Sequence, residues 1–112
     1  MYEYTAKLDR VVDGDTVDAL VDLGFNTWKK VRIRMFGMNA PESRTRDLDE
    51  KARGLASKIR LEELLDSGRF TLKSMGVGKF GRCLGIIYID GININQTLIN
   101  EGHAVEYHGG KR

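Results

Sequence analysis

The fold is decided by residues 16–37, which read T-V-D-A-L-V-D-L-G-F-N-T-W-K-K-V-R-I-R-M-F-G. Thr16–Leu23 carries β-branched residues in partial alternation and predicts a strand, and Gly24–Thr27 predicts a turn. Lys30–Gly37 alternates more cleanly, which predicts a strand with one apolar and one basic face. The apolar face comprises Val31, Ile33 and Met35, and the basic face comprises Arg32 and Arg34.

Residues on either side of this stretch predict the other elements. Tyr4–Arg10 predicts an earlier strand, so the first three strands form an antiparallel meander. Downstream, Asp47 and Glu50 resemble a capping box at the start of a helix. Apolar residues then recur at i, i+3, i+4 and i+7 and predict its buried stripe, which comprises Ala52, Leu55, Ala56 and Ile59 and continues to Leu64 and Leu65.

The chain after the helix predicts two more strands and a second helix. Gly68 stands where a left-handed residue ends a helix. Arg69–Ser74 and Leu84–Asp90 predict strands, and Asn95–Glu101 predicts a short helix ended by Gly102. This order predicts one mainly β (α+β) domain over residues 1–112, a five-stranded Greek-key OB-fold barrel whose open face commonly receives oligonucleotides. A small α+β sandwich is the alternative.

Composition fits one globular domain. The 112 residues are 41% hydrophobic and 30% charged, with no apolar run near the ~20 residues that span a bilayer. The N-terminus of this sequence lacks the apolar stretch of a signal peptide, and no membrane contact is expected, but the localisation stays open. The one cysteine, Cys83, has no internal disulfide partner and is expected to pack as a small hydrophobe.

The net charge of +2 is unevenly distributed. Residues 1–22 contain six carboxylates against two cations, a balance of −4, so the remainder carries +6. An acidic cluster in a basic chain suits a protein that holds a cation among carboxylates and a polyanion around them. Ordinary solvated surface charge is the alternative.

Two short motifs carry candidate chemistry at strand ends. Asp13 and Asp15, in D-G-D-T, can aim oxygens at one hard cation, although this sequence is also a common hairpin turn. In N-A-P-E, Pro41 stiffens the backbone before Glu42, a carboxylate suited to orienting or deprotonating a water. An exposed loop glutamate is the alternative.

Basic residues add a possible phosphate contact. Arg34 lies off the apolar face of its strand and presents a fork of N–H donors suited to phosphate. Lys79 and Arg82 flank Phe80 and a glycine in K-F-G-R, where a cation can approach a phosphate closely. A solvated strand arginine and an ordinary basic loop are the alternatives.

Together these motifs resemble the staphylococcal nuclease family. V-V-D-G-D-T-V at 11–17, R-x4-N-A-P-E at 34–42 and K-F-G-R at 79–82 occur in the family's order and approximate spacing. The helix sequence E-K-A-R-G-L-A and the closing N-Q-T-L-I-N-E-G-H-A are also similar. The resemblance covers residues 4–108.

The resemblance implies a role for each matching residue. Asp15, Asn39 and the Ala40 backbone carbonyl match the direct ligands of a divalent metal ion, and Asp13 matches a supporting position. Glu42 matches the residue that positions or deprotonates the attacking water. Further matches are Arg34 and Arg82 as the phosphate-holding catalytic arginines, and Lys79, Phe80 and Tyr107 near the nucleotide.

The implied reaction is metal-dependent hydrolysis of DNA or RNA at the P–O5′ bond, leaving a 3′-phosphate. The implied metal is Ca²⁺, with Mg²⁺ or Mn²⁺ as alternatives, and the expected protein is a monomer with no obligate protein partner. The rival interpretations are a catalytically silent OB-fold module that binds nucleic acid or protein, and a calcium-binding structural domain.

Three departures from the family pattern bear on these expectations. Asn39 stands where the family usually has aspartate, which predicts weaker metal binding. Phe80 replaces a common tyrosine and removes a hydroxyl. The terminal helix of longer members has no counterpart in these 112 residues. We expect structural or surface roles for His103 and His108, and partial packing for Trp28.

Overall fold

The computed structural model describes residues 2–77 and 82–107. Lys79, Phe80 and His108 lie outside these ranges. The elements in the described ranges are β1 Glu3–Asp13, β2 Thr16–Asp22, β3 Trp28–Met35, β4 Met38–Asn39, α1 Leu48–Leu64, β5 Arg69–Val77, β6 Cys83–Ile89, β7 Ile92–Asn93, α2 Ile94–Asn100 and β8 Val105–Glu106.

Five strands close into a barrel. The antiparallel order β3-β2-β1-β5-β6 becomes a ring because β3 and β6 also pair, in parallel, through Ile33–Cys83, Arg34–Leu84 and Met35–Gly85. The strand β7 extends β6 at the edge, and β4 pairs with β8 in a separate two-stranded sheet. The predicted five-stranded barrel with two helices is therefore confirmed.

Alternation along the strands fills the barrel. Ile33 and Met35 are 0% and 1% exposed, and Val31 packs against the same core, as the sequence predicted. The strand β2 adds Val17, Ala19 and Val21 to the interior. Cys83 also packs against this core, and burial raises the pKa of its thiol, which confirms that it behaves as a small hydrophobe.

The predicted helix exists, but the predicted buried stripe is confirmed only at its end, where Leu64 and Leu65 pack against the core, and is wrong at its first four residues. Asp47 caps α1 by accepting hydrogen bonds from the backbone N–H groups of Asp49 and Glu50, at 3.0 and 3.2 Å. Leu55 and Ile59 are 41% and 55% exposed, and Ala52 and Ala56 are exposed too. The buried residues of α1 are Gly54, Ser57 and Leu61.

The buried face differs from the predicted one because α1 lies very close to the loop that carries Glu42. A Cβ atom on Gly54 would lie 2.4 Å from the backbone carbonyl oxygen of Glu42. The first half of the helix therefore presents Gly54 and Ser57 inward, and Leu55 and Ile59 turn toward solvent, whereas Leu61 in the second half is buried in the core. Within the described residues, no helix is both long and apolar enough to span a membrane.

Candidate functional site

The D-G-D-T sequence forms the turn between β1 and β2. Asp15 is 7% exposed, and its Oδ1 accepts a hydrogen bond from the Thr16 hydroxyl at 2.9 Å. Asp13 ends β1, and its Oδ1 accepts hydrogen bonds from the Ser43 backbone N–H at 3.2 Å and from the Ser43 hydroxyl. Both carboxylates are thus fixed in direction by neighbouring donors.

The N-A-P-E loop wraps around this turn. The backbone N–H of Ala40 donates to Oδ2 of Asp15 at 3.0 Å, and Ser43 binds Asp13 as described above. The two sequence motifs lie 25 and 30 residues apart along the chain at these contacts. The fold therefore places the two carboxylates directly against the loop that carries Asn39 and Glu42.

Two glycines allow α1 to pack closely against the β1–β2 turn and the N-A-P-E loop. A Cβ on Gly14 would lie 2.6 Å from the Cβ of Ser57 and 3.0 Å from that of Ala40. Gly54 has the equally close approach to Glu42 already noted. The helix thus holds the carboxylate turn and the loop in one rigid arrangement, because neither contact leaves room for a side chain.

Arg34 reaches from β3 into the same arrangement. Its Nη2 donates to Oδ1 of Asn39 at 2.9 Å, and its Nη1 lies 3.3 Å from Oδ2 of Asp15. Nη1 also donates to the Met38 carbonyl at 3.1 Å, and the side chain is 15% exposed. The structure therefore brings together Asp15 and Arg34, which their motifs singled out, and Asn39, which the family resemblance singled out.

The donor chemistry fits a hard cation. Oδ2 of Asp15 and Oδ1 of Asn39 converge on one positively charged group, the Arg34 guanidinium. Carboxylate, amide and backbone carbonyl oxygens are the ligands that calcium and magnesium prefer. Among residues 2–77 and 82–107, no group of three or more His, Cys, Asp or Glu side chains is suited to holding a metal ion. A metal here would therefore depend on Asn39 and a backbone carbonyl as well as carboxylates.

The remaining candidates lie around this centre. Glu42 is exposed in the loop after Pro41. Arg82 is partly buried and directly precedes β6. Because Leu84 of β6 pairs with Arg34 of β3, Arg82 lies close to β3. Tyr107 follows β8, and its backbone N–H donates to the Gly37 carbonyl at 2.9 Å. Lys79 and Phe80 lie outside the described residues.

A cleft of about 720 Å³ adjoins the site. Its walls come from the loop at Asn39–Pro41, from α1 at Glu50–Ser57 and from the segment 102–107 that ends in Tyr107. Arg34, Glu42 and Arg82 are not among its lining residues. Asn39 and Ala40 therefore line the cleft and also contact Arg34 and Asp15, respectively.

Sequence reasoning missed three residues that hold the site together. Ser43 bonds Asp13, and the Ser57 hydroxyl donates to the His103 carbonyl at 2.7 Å. The buried Asn95 amide accepts from Ile87 N–H at 3.1 Å and donates to the carbonyls of Phe36 and Gly85 at 2.9 and 3.2 Å. A serine or asparagine has no local pattern that predicts such distant partners.

Fold and site together define a class of protein: a closed five-stranded barrel with carboxylates, an amide and an arginine meeting at the β1–β2 turn. Residues 32–112 match the family model described as staphylococcal nuclease homologue. The chain belongs to this family.

Relatives within the family are named as nucleases. The chain is 32% identical over 100 residues to the endonuclease YncB of Bacillus subtilis (strain 168), covering 87% of this chain and 45% of that protein. It is 32% identical over 100 residues to the prophage-derived endonuclease YokF of the same organism, covering 87% and 32%. Identity to the micrococcal nuclease of Shigella flexneri is 28% over 114 residues, covering 94% and 59%. The chain thus spans a third to three-fifths of these relatives.

Proposed function

We propose that this protein is a metal-dependent endonuclease that hydrolyses phosphodiester bonds of DNA or RNA. The observation that carries the proposal is the contact of Arg34 with both Asp15 and Asn39, in a site locked to the loop that bears Glu42. A phosphate-binding cation beside convergent oxygen ligands is an arrangement that supports metal-assisted phosphodiester hydrolysis. The names of the relatives support the same chemistry.

In the proposed reaction, water attacks phosphorus and the P–O5′ bond breaks. Glu42 accepts a proton from the attacking water. Arg34 and Arg82 donate N–H groups to the phosphate oxygens, where negative charge accumulates in the transition state. The departing O5′ takes a proton from solvent, and the products are a 5′-hydroxyl and a 3′-phosphate.

Asp15, the Asn39 amide oxygen and the Ala40 carbonyl would hold the metal ion, with Asp13 supporting it through water. We propose Ca²⁺ as the ion, with Mg²⁺ and Mn²⁺ as alternatives. When bound, such an ion polarises a phosphoryl oxygen and lowers the pKa of a bound water.

The substrate would extend from the catalytic residues to basic and aromatic groups nearby. Lys79 and Phe80 are proposed to contact the nucleotide, and Tyr107 is proposed to stack on a base from the cleft wall. We propose that the protein works as a monomer on single-stranded or denatured nucleic acid.

The decisive experiment is a cleavage assay on denatured DNA and on RNA across Ca²⁺, Mg²⁺ and Mn²⁺, with and without EDTA. We expect cleavage with at least one metal and none in EDTA. Glu42→Gln should lower turnover by roughly 10²–10⁴-fold, and Arg34→Ala or Arg82→Ala by about 10²–10³-fold. Matched controls are Glu62→Gln on the exposed face of α1 and Arg46→Ala in the exposed loop, both of which should keep full activity.

The rival function is a catalytically silent nucleic-acid-binding module. Binding of an oligonucleotide without cleavage in any of the three metals would establish the rival and refute the nuclease proposal. Unchanged turnover in the Glu42→Gln and Arg34→Ala proteins would refute the assigned roles.

A further inference from the structure

The outer face of β1, β2 and β3 carries cross-strand rows that lead away from the candidate site. The first row is Asp13–Thr16–Arg34, the second is Arg10–Asp18–Arg32 and the third is Lys7–Leu20–Lys30. The face ends at Trp28, which pairs with Asp22. We call Lys7, Arg10, Lys30, Arg32 and Trp28 the outer strip. It begins one row beyond Arg34.

The cations of the outer strip are directed outward, whereas the principal carboxylate between them is not. The side chains of Arg10, Arg32 and Lys30 are 61%, 44% and 65% exposed. Asp18 is 5% exposed and lies beneath Arg10 and Arg32, which bind it at 3.0 and 2.8 Å. The side chains of both arginines are therefore exposed, and the single carboxylate that they share lies below them.

The other two carboxylates near the strip are already engaged. Asp9 binds Lys30 at 3.2 Å in an exposed pair, and such pairs contribute little and yield readily to a competing anion. Asp22 accepts a hydrogen bond from the Gly24 backbone N–H at 2.8 Å, within the hairpin turn. Neither cancels the positive face of Arg10 and Arg32.

Aromatic groups stand at the far end of the strip. The Lys7 ammonium lies 4.3 Å from the centroid of the Trp28 ring, which remains 37% exposed. Phe25 is fully exposed at the hairpin tip. The indole of Trp28 beside Lys7 and the exposed phenyl ring of Phe25 offer aromatic surfaces on which bases can stack, and the lysines offer cations for phosphates.

The backbone at Phe25 is unfavourable for that residue. Phe25 and Asn26 have φ of 53° and 61°, and Thr27 N–H bonds the Gly24 carbonyl at 2.9 Å, as in a type I′ turn. Such a turn favours asparagine, aspartate or glycine at the position that Phe25 occupies. Phe25 therefore has a backbone conformation that favours other residues, and its side chain is fully open to solvent.

The spacing of the strip fits an extended polyanion. Alternate residues on one strand recur about every 6.6 Å, so Arg34, Arg32, Lys30 and Trp28 span about 20 Å. The distance between alternate residues is close to the distance between successive phosphates of an extended single strand. Each cation of β3 can therefore meet a successive phosphate, and Trp28 then lies three nucleotides from the group held by Arg34.

We propose that the outer strip binds the single-stranded portion of the substrate, with bases stacked on Trp28 and Phe25. The inference deepens the proposed function, because it assumes a nucleic-acid substrate held at Arg34. It assigns length preference and single-strand preference to a surface beyond the catalytic residues. A duplex is disfavoured, because its bases are paired and cannot stack on the two rings.

The test uses the single tryptophan of the chain as a reporter. Oligothymidylates of two, four and six nucleotides are titrated in EDTA, and Trp28 fluorescence is followed, so that binding is measured without cleavage. We expect the hexanucleotide to quench Trp28 and to bind about tenfold or more tightly than the dinucleotide.

Variants locate the binding. Lys30→Ala and Arg32→Ala should each reduce the hexanucleotide-to-dinucleotide affinity ratio about threefold or more. Each should also reduce the slope of log K against log salt by about 0.7, the value for one phosphate contact on a single strand. Lys51→Ala, which removes the same charge from the exposed face of α1, should leave both quantities unchanged.

The Phe25→Asn variant distinguishes a role of Phe25 in binding from a role in stability. Asparagine suits the left-handed turn, so this variant should unfold at a higher temperature while binding the hexanucleotide more weakly. Equal affinity for all three lengths, or unchanged affinity in the Lys30, Arg32 and Phe25 variants, would overturn the inference. So would a blue shift of Trp28 fluorescence on phosphatidylserine vesicles without quenching by oligonucleotide, which would indicate a membrane surface instead.

The outcome is independent of the cleavage assay. If Trp28 quenching depends on oligonucleotide length but the protein cleaves nothing, binding at the outer strip is supported and the nuclease proposal is refuted. If the protein cleaves nucleic acid but the Lys30, Arg32 and Phe25 variants bind as the unaltered protein does, the nuclease proposal is supported and this inference is refuted.

Discussion

Asn39 is the residue at which this chain departs most from the usual family pattern. Its Oδ1 accepts a hydrogen bond from Arg34 at 2.9 Å, so its oxygen is directed toward the same group as Asp15. In the proposed metal site the amide would supply a ligand atom but no charge. The attraction of that site for a divalent cation would therefore rest mainly on Asp13 and Asp15.

Restoring the carboxylate should strengthen metal binding. We expect Asn39→Asp to bind Ca²⁺ about tenfold or more tightly, because an added charge near a cation contributes several kcal/mol, of which desolvation removes a part. Isothermal titration calorimetry measures this directly. Asn26→Asp, which adds the same charge in the exposed hairpin, is the matched control, and equal gains in both variants would contradict the prediction.

Asp18 is a second residue whose charge has a measurable consequence. A hydrogen bond from Arg32, with further support from Arg10, lowers the pKa of this carboxyl from 3.8 to about 2. Because the folded-state pKa is depressed, its stabilisation is complete above the unfolded value near 3.8. It is lost as pH falls through about 2.

The Asp18→Asn protein should therefore show a reduced free energy of unfolding at pH 7 and a smaller deficit as the pH approaches 2. Urea unfolding at a series of pH values measures both proteins. Asp66→Asn, a change at an exposed carboxylate, is the control. A deficit that stays constant down to pH 2 would show that lost packing, rather than lost charge, causes the effect.

At the scale of elements, helix α1 determines the shape of the site. Its buried face consists of Gly54, Ser57 and Leu61, which allow the β1–β2 turn and the Asn39–Ser43 loop to lie close beneath it. One ion pair links Arg60 of α1 to Glu101 just after α2, through two hydrogen bonds of 2.6 and 2.9 Å. The helix acts as a brace rather than as a carrier of catalytic groups.

Gly14→Ala tests this brace. The added Cβ meets the Cβ atoms of Ser57 and Ala40, neither of which is the end of a flexible chain, so stability should fall by about 1–3 kcal/mol. Metal binding should weaken as well, because Asp13 and Asp15 flank the shifted residue. Urea denaturation and calcium titration provide the two readouts.

A double-mutant cycle with Ser57→Gly identifies the cause. Removing the opposing Cβ should recover part of the loss, so the two substitutions should be non-additive. Strict additivity would mean that Gly14 is required for a reason other than its contact with α1.

At the scale of the whole molecule, barrel closure joins distant parts of the chain into one site. The parallel pairing of β3 with β6 places Arg82 beside the strand that carries Arg34. Two loop contacts connect Asp13 and Asp15 to the Asn39–Ser43 segment. A ligand held by this site would therefore be bound by the folded state alone.

Metal binding should consequently raise the unfolding temperature. At a Ca²⁺ concentration of a hundred times Kd, the folded state gains about 2.7 kcal/mol. Scanning calorimetry with Ca²⁺ and then with excess EDTA should show a rise that EDTA reverses. Asp15→Ala should abolish the rise and Asp66→Ala should retain it, whereas equal rises in both would place the metal elsewhere.

Much of the fold was predictable because its signals are local. The alternation in Lys30–Gly37, the Asp47 cap and the turn at Gly24–Thr27 each depend on neighbours along the chain, and each is confirmed. The buried stripe of α1 was not predictable. Periodicity identifies an apolar face, but only the approach of another segment decides whether small or large residues lie inward.

The residues of the candidate site likewise fall into those that local sequence could identify and those that it could not. Asp13, Asp15, Arg34, Asn39, Glu42 and Arg82 were singled out from sequence, and the structure joins Asp15, Arg34 and Asn39 by direct contact. The assigned catalytic and metal-binding roles stay predictions. Ser43 and Asn95 were missed, because a hydrogen bond across 30 or 59 residues leaves no pattern near either partner.

The sequence by itself determined the five barrel strands, the two helices, the family and the chemical groups available, since these follow from side-chain type and short-range order. Tertiary structure alone decided which face of α1 is buried and that Arg34 rests on Asp15 and Asn39. It also aligned four cations with Trp28 on one outer face. The physical reason is that each of these depends on distances between segments, which packing fixes and local sequence does not.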